Sequence, residues 1–477
     1  MRARGLLRVP AKYHIHIEPA PPRVRPVGKL GIVEWREDCS SCHNCVKRSC
    51  VYGFYSDESE RLRNENGYLD YIYQCKGCLT CIQNCTKNIL TRVVNPEFKR
   101  LGNDYFVADM ILSTWYQAET GKIPVSGAGY GGPFSGPGFD SMWTDMSEIV
   151  RPTRDGIHGR EYISTSVDIG RKLPHLEFAD GELLSAPPPL LETPIPIVFD
   201  VLPEHFNRGP VPRWIVEAAL EIGAISVVRE SDLDRLSGID LSNIAPLLNA
   251  PNSIENSAID EAPMVYLPDG PDVLQEVSAL KRSVPERIVC VRVPVTAEIV
   301  ERTRLLAGEG VEVINIAFDA GGREADAVKP RHMRDIVPEV HRALTKDGIR
   351  DELTLMSSGG VVMAEHVAKA VICGVDLVAV DLPLVVALEC RLCGECEHGE
   401  PCQIALEEAD GDYAVRRIVN LMGAWHNQLL EMMGAMGIRE ARRLRGETGR
   451  CMFFKDLEES TFGRLFGKRK VAEGAGP

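Results

Sequence analysis

The residues of this chain that point most directly to chemistry are its cysteines. The 477 residues include 15 of them, and most fall into three short runs. We read no export signal in residues 1–10, and close-set cysteines in a reducing compartment indicate metal or redox chemistry rather than disulfides. We therefore predict metal centres within residues 39–50, 75–85 and 390–402. Cys290, Cys373 and Cys451 stand apart from the runs, and we interpret them as packed thiols.

The two N-terminal runs predict a ferredoxin-type module. The second run has the C-x2-C-x2-C-x3-C spacing of bacterial ferredoxins, and the first repeats it with one extra residue before the last cysteine. Because two such runs normally exchange their fourth ligand, we predict two 4Fe-4S clusters. One is expected at Cys39, Cys42, Cys45 and Cys85, and the other at Cys75, Cys78, Cys81 and Cys50. Zinc is the alternative, but the third cysteine in each run favours iron–sulfur.

The third run predicts a further metal centre near the end of the chain. Its spacing is C-x2-C-x2-C-x5-C, in the acidic sequence ALECRLCGECEHGEPCQIA. Four thiols so close together would repel one another if they were ionised without a metal. The spacing favours a third iron–sulfur cluster, of the 4Fe-4S or 3Fe-4S type, over zinc. Its predicted ligands are Cys390, Cys393, Cys396 and Cys402.

Short apolar stretches alternate with amphipathic ones in the second half of the chain, which predicts parallel β/α units. The predicted strands are 197–201, 225–229, 264–267, 288–293, 311–318, 353–356 and 377–380, and the predicted helices are 212–222, 273–280, 297–307, 331–344 and 364–373. The eighth strand is not resolved by the pattern. About 250 residues of such units suit a (β/α)8 barrel of the TIM type. A doubly wound sheet is the alternative, although no G-x-G-x-x-G follows a strand.

The predicted fold class is thus α/β, with the barrel preceded by a small α+β ferredoxin-like domain. We divide the chain into an N-terminal extension (1–30), the two-cluster domain (31–100) and a connector rich in glycine and proline (101–190), expected to pack on the barrel. The barrel with the third cysteine run follows (191–450), and a C-terminal tail ends the chain (451–477).

In such a barrel the chemistry lies at the carboxyl ends of the strands. This rule selects Arg292, Asn315 and Asp319, with Gly321 and Gly322, as candidate site residues. It also selects the run Ser357, Ser358, Gly359 and Gly360. Glycines and serines between a strand end and a helix suit a cofactor phosphate, although barrel loops also use glycine for tight turns.

Three stretches resemble the FMN-binding synthase domain of glutamate synthase: VEVINIAFDAGG, LTLMSSGG and VDLVAVDLPLVVALEC. The stretch that begins QAETGKIPVSGAGYGG resembles the stand-alone archaeal and bacterial proteins of this type, which carry ferredoxin clusters before the barrel. The resemblance implies FMN and flavin-mediated reduction of 2-iminoglutarate to glutamate, with electrons supplied through the clusters. It places Arg292 as the flavin-contacting, catalytic residue. The remaining implied cofactor-binding residues are Asn315, Asp319, Gly321, Gly322, Ser358, Gly359 and Gly360.

The chain also departs from that pattern. The turn FDAGGREADA lacks the threonine and the later glycine of D-G-G-x-T-G, and Asp381 stands where the family has a glycine close to the flavin phosphate. A second hypothesis is therefore kept open. In it, the chain is a non-catalytic electron-transfer subunit of a larger redox complex, and its flavin site is degenerate.

Charge and hydropathy limit the partners and the location. The net charge of −14 gives no electrostatic reason to expect nucleic-acid binding. Charged residues interrupt the most apolar stretch, 359–390, so we predict no membrane span and a cytoplasmic protein. The expected partners are an electron-donor protein or other redox-complex subunits and, for the enzyme hypothesis, a separate glutaminase that supplies ammonia.

Overall fold

The computed structural model of the chain describes residues 13–24, 27, 29–34, 51, 79–88, 91–94, 97–126, 129–133, 136–144, 162–180, 182–184, 188–248, 262–325 and 327–453. Of the eight N-terminal cysteines, only Cys81 and Cys85 are among them. The predicted exchange of ligands between two N-terminal clusters therefore lies outside the described residues.

Eight parallel strands close into a barrel, which confirms the predicted (β/α)8 fold. The strands are β1 (Ile197–Phe199), β2 (Ser226–Arg229), β3 (Ile244–Leu247), β4 (Met264–Pro268), β5 (Ile288–Pro294), β6 (Val313–Ala317), β7 (Thr354–Ser358) and β8 (Leu377–Val380). Strand β8 pairs with β1 through Val380 and Phe199, and this pairing closes the barrel. The strands are almost wholly buried, which explains why they read as continuous apolar runs.

Strand β3 is the one that the sequence did not reveal. It has four residues and contains Pro246, which is uncommon inside a strand. The connection from β2 to β3 is a 3-10 helix, Glu230–Leu236, rather than an α-helix. The strand–helix rhythm used for the prediction is therefore interrupted at this point.

The described α-helices are α1 (Thr80–Gln83), α2 (Ala108–Thr120), α3 (Val211–Ile222), α4 (Val273–Ser283), α5 (Ile299–Gly308), α6 (Met333–Lys346), α7 (Ala364–Cys373), α8 (Leu382–Ala387) and α9 (Gly411–Ala435). Helices α3 to α7 overlap the five predicted helices. Helix α6 shows why apolar periodicity predicted these helices. Its buried residues recur at helical spacing: Met333, Ile336, Val337, Val340 and Leu344.

The last part of the connector packs against the amino-terminal end of the barrel. Its strand Val167–Gly170 pairs with Leu190–Thr193. The Gly170 N–H donates to Thr354 Oγ1 at 3.0 Å, and the Thr354 hydroxyl donates to the Gly170 carbonyl at 2.9 Å. Thr354 is the first residue of β7, so the contact lies at the end of the barrel opposite to the predicted site.

Four further strand pairs are antiparallel. They are Leu30–Glu34 with Thr91–Val94, Val125–Ser126 with Gly129–Tyr130, Phe178–Ala179 with Glu182–Leu183, and Met142–Thr144 with Cys451–Phe453. Within the described ranges, no helix combines the length and the apolar character needed to cross a membrane.

Candidate functional site

The third cysteine run lines a pocket at the carboxyl end of the barrel. After β8 the chain forms the short helix α8 and then turns back past the loop that follows β1. The pocket has a volume of about 560 Å³. Its walls include Cys390, Cys393, Cys396 and Cys402 from the run, and His205, Phe206 and Arg208 from the loop after β1. The fold thus gathers all four predicted ligands around one space.

The backbone bends sharply around this pocket. Glu389, Leu392 and Ala405 have φ angles of 75°, 47° and 42°, a region that non-glycine residues rarely adopt. Such conformations persist where the surrounding structure enforces them, and they are concentrated at functional sites. The Leu392 N–H also donates to Cys390 Sγ at 3.4 Å, a contact that stabilises negative charge on the sulfur.

Burial dominates the electrostatics at Cys390. Burial raises the pKa of the Cys390 thiol to about 12, with further contributions from the neighbouring cysteines. A thiol in this environment stays neutral near pH 7 unless a metal binds it, because coordination removes the proton outright.

Among the described residues, no group of three or more His, Cys, Asp or Glu side chains is placed closely enough to hold a metal ion. In an iron–sulfur cluster each thiolate binds a different iron, whereas the thiolates of a zinc site share one ion. The iron–sulfur assignment of the four cysteines that line the pocket remains a prediction from their spacing in the sequence.

A second group of residues lies inside the mouth of the barrel. The Arg292 guanidinium, on β5, donates through Nη1 to Asp200 Oδ1 at 2.6 Å. Asp200 follows β1, and the strand order places β5 opposite β1, so this ion pair crosses the barrel. Asp381 follows β8, next to Asp200, and its pKa is raised to about 6, first by burial and then by the Asp200 charge.

Two predicted site residues contribute buried polar atoms to the same inner face. Asn315 is level with Arg292 in the register of β5 and β6, and with Met356 in that of β6 and β7. Met356 faces inward, since its sulfur is 3.7 Å from the Tyr266 hydroxyl on β4. Asn315 is fully buried, and neither its amide nitrogen nor its amide oxygen has a hydrogen-bond partner in the structure. The Ser358 hydroxyl, two residues after Met356, is also buried without a partner.

The predicted phosphate-binding glycines pack against each other. A Cβ on Gly360 would lie 2.6 Å from the Gly322 nitrogen, and one on Gly359 would overlap the Asp319 carbonyl oxygen. Asp319 stabilises the turn that contains Gly321 and Gly322, because its Oδ1 accepts the N–H groups of Gly321 and Arg323 at 2.8 Å. The glycines therefore allow two loops to approach closely. This use agrees with the alternative from the sequence, in which the glycines serve tight turns rather than a cofactor phosphate.

Two residues that the sequence did not single out hold these turns. The Tyr105 hydroxyl donates to the Gly360 carbonyl at 2.8 Å and lies 3.0 Å from His332 Nε2. His332 Nδ1 accepts the Arg334 N–H at the start of α6. Because Nδ1 is thus an acceptor, Nε2 carries the proton of the neutral ring and donates to the Tyr105 hydroxyl. Burial lowers the pKa of His332 to about 4, which keeps this arrangement neutral.

The fold and the site together define a class of protein: a (β/α)8 barrel with polar residues and a cysteine pocket at the end where barrel enzymes carry their active sites. Comparison with known proteins narrows the class. The conserved region in glutamate synthase matches residues 252–439. Over these residues the chain is similar to glutamate synthases, as its motifs predict.

The matching relatives span nearly the whole chain. The archaeal-type glutamate synthase (NADPH) of Dehalococcoides mccartyi is 23% identical over 484 residues, which cover 87% of this chain and 93% of that protein. The archaeal glutamate synthase (NADPH) of Archaeoglobus fulgidus is 24% identical, with 87% and 92% covered. That of Methanocaldococcus jannaschii is also 24% identical, with 93% and 95% covered.

Solved structures are similar to this chain only distantly. A flavocytochrome b2 variant with benzoylformate has a TM-score of 0.42 at 12% identity, covering 70% of this chain and 88% of its own. A mandelate oxidase variant with 2-hydroxy-phenylacetamide has a TM-score of 0.38 at 16% identity, covering 64% and 97%. At these scores the likeness adds nothing about the site.

Proposed function

We propose that the chain is an iron–sulfur flavoprotein oxidoreductase of the glutamate synthase type. In this proposal, electrons pass through 4Fe-4S clusters to FMN in the barrel and serve the reductive amination of 2-oxoglutarate to glutamate. The names of the relatives support the reaction, and the position of the cysteine pocket beside the barrel mouth supports the route of the electrons. An electron-donor protein and a separate ammonia-supplying glutaminase are the partners that this reaction requires.

The observation that carries the flavin proposal is the buried amide of Asn315. A buried polar group without a partner is rare in native proteins and indicates a ligand or an ion that completes its hydrogen bonds. The amide has both a donor and an acceptor, which suits the polar edge of a flavin ring. Ser358 adds an unsatisfied hydroxyl on the same inner face.

FMN, when bound, would supply hydride transfer, and the protein's own residues would position the reactants. Asn315 and Ser358 would hold the cofactor. Arg292 keeps part of its side chain exposed at the barrel mouth beside its contact with Asp200, so its free N–H groups could bind a substrate carboxylate. The interlocked turns at Gly322 and Gly360 leave no room between them, so the phosphate would have to bind outside that contact.

The test is to purify the full chain without oxygen, measure FMN, iron and labile sulfide, and then mix the reduced protein with 2-oxoglutarate and ammonium. We expect FMN close to one per chain, and reoxidation only when both substrates are present. Asn315→Leu removes the unsatisfied amide with little change in volume. It should therefore leave stability equal or higher and abolish FMN retention. Normal FMN content in this variant would contradict the proposed role of Asn315.

A second function is favoured by the Arg292–Asp200 ion pair, which already occupies the barrel mouth, and by the packed glycine turns. In this alternative the barrel holds no flavin and supports clusters within a larger redox complex. Iron and sulfide without any flavin, together with rapid electron exchange with a partner protein, would support the alternative against the enzyme.

A further inference from the structure

Three ionisable side chains lie near one another at the barrel mouth. Asp200 and Asp381 follow the neighbouring strands β1 and β8, and Arg292 reaches Asp200 from β5. This group of three, which we call the mouth triad, comprises two carboxyl groups and one guanidinium. One positive charge cannot neutralise two carboxylates, so one of the two carboxyl groups is favoured to keep its proton.

The contacts of the two carboxyl groups differ. Asp200 is 3% exposed, accepts from Arg292 at 2.6 Å and also accepts the Val201 N–H at 2.9 Å, so the guanidinium pairs with Asp200. Burial and the Asp200 charge raise the pKa of Asp381, against the backbone N–H groups of Leu382 and Asp381 and the Arg292 charge, which lower it. We therefore place the proton of the triad on Asp381.

A further observation indicates that a ligand binds beside this group. The unpartnered amide of Asn315 is level with Arg292 on the adjacent strand and is fully buried. Burying such an amide without a hydrogen bond is unfavourable, and a ligand at the mouth would remove that penalty. In the proposed function this ligand is FMN, and a substrate that reacts with it would lie within reach of the triad.

We propose that Asp381 is the proton-exchanging residue of the barrel mouth and that it donates its proton to an oxygen atom of the substrate. The substrate class rests on the proposed function: a 2-oxo acid that has added ammonia. In the donation step, the Asp381 O–H bond breaks and the proton moves to the hydroxyl oxygen of the carbinolamine. The C–O bond breaks, the nitrogen lone pair forms the C=N bond, and water leaves. Asp381 is left as a carboxylate, which regains its proton from solvent, while Arg292 binds the substrate carboxylate.

The first test reads the proton directly and needs neither flavin nor substrate. Infrared difference spectra of the full chain, recorded between pH 5 and pH 8, should show a protonated-carboxyl band that is lost near pH 6. This band should be absent in Asp381→Asn. It should shift to lower pH in Asp200→Asn, because that change removes a like charge and frees Arg292. Glu365, whose pKa burial raises to about 7, also titrates in this range, so the spectra are recorded in a Glu365→Gln background.

The second test measures turnover against pH. General acid catalysis is worth about 10²- to 10⁴-fold, so Asp381→Asn should lower kcat by that factor and remove the loss of activity above pH 6. Asp381→Glu should restore part of kcat and part of the loss of activity above pH 6. The control is Asp269→Asn, which changes a carboxylate at the end of β4 that pairs with Arg302 outside the triad. It should leave the pH profile unchanged.

The outcomes separate the two proposals. A band that persists in Asp381→Asn, or a wild-type pH profile in that variant, overturns the role of Asp381. A titrating Asp381 band in a protein that does not turn over 2-oxo acids overturns the proposed function and the donation step, while the assignment of the proton stands.

Discussion

Arg417 offers the sharpest test of how the barrel is attached to the segments around it. Its guanidinium is buried within α9 and donates to three carbonyl groups from three separate parts of the chain. The distances are 2.5 Å to Ala387 at the end of α8, 2.9 Å to Ala20, and 3.4 Å to Trp115 in α2. We predict that Arg417→Met loosens all three segments together.

The size of the effect follows from these distances. A hydrogen bond from a charged donor contributes roughly 1.5–3 kcal/mol, and the 3.4 Å contact is too long to count fully. Two good bonds therefore give about 4 kcal/mol. Methionine no longer has to bury a charge, which offsets about 1 kcal/mol, so the free energy of unfolding should fall by about 3 kcal/mol.

The neighbouring arginine is a matched control. Arg416 lies on the exposed side of the same helix and pairs with Glu18 at 3.4 Å, so Arg416→Met should change the free energy of unfolding by less than about 0.5 kcal/mol. Urea unfolding, followed by the fluorescence of the buried Trp115 and Trp425, compares the midpoints at equal slope. Because Ala387 lies three residues before Cys390, iron bound at the third cysteine run should also decrease in Arg417→Met.

Equal unfolding midpoints for the two arginine variants would refute the reasoning. So would a loss of less than about 1 kcal/mol in Arg417→Met, since two hydrogen bonds from a buried cation must contribute more than that.

The remaining predictions concern the packed turns and a buried ion pair. In Gly360→Ala the new Cβ would lie 2.6 Å from the Gly322 nitrogen at a φ of 70°, so unfolding should require at least about 2 kcal/mol less free energy. Gly238 has a similar φ with open space around it, so in the same urea titration Gly238→Ala should lower the free energy of unfolding by about half as much or less. Asp376 is bound by Arg350 at 2.8 Å, and although burial alone would raise its pKa, the arginine charges hold the pKa below its usual range. The Asp376 carboxylate therefore stabilises the folded protein above about pH 4, and this stabilisation is lost as the pH falls below that value. The difference in thermal midpoint between wild type and Asp376→Asn should accordingly shrink as the pH falls from 6 to 3.

Periodicity and spacing were sufficient for the barrel and for the cysteine pocket. Parallel strands buried on both faces leave a continuous apolar signal, and four cysteines within thirteen residues must lie near one another in any fold. Strand β3 was missed because its four residues include a proline and no α-helix precedes it. The rule that barrel chemistry lies at strand ends selected Arg292 and Asn315, which lie side by side on β5 and β6, and their roles remain predictions.

The sequence could not reveal contacts that depend on closure of the barrel. Asp200 and Asp381 are far apart along the chain, and they become neighbours only because β8 pairs with β1. Tyr105 reaches Gly360 because the segment before α2 packs over the glycine turns, which no local pattern encodes. The contact between Gly322 and Gly360 likewise depends on how the two turns are placed in the folded barrel.

Metal analysis of the anaerobically purified full chain determines whether the protein works with iron–sulfur clusters, as we propose. Three clusters of the 4Fe-4S type predict about twelve iron atoms and as many labile sulfides per chain, and Cys390→Ser should remove about four of each. A colourless protein, or one that contains zinc without labile sulfide, would refute the proposed clusters.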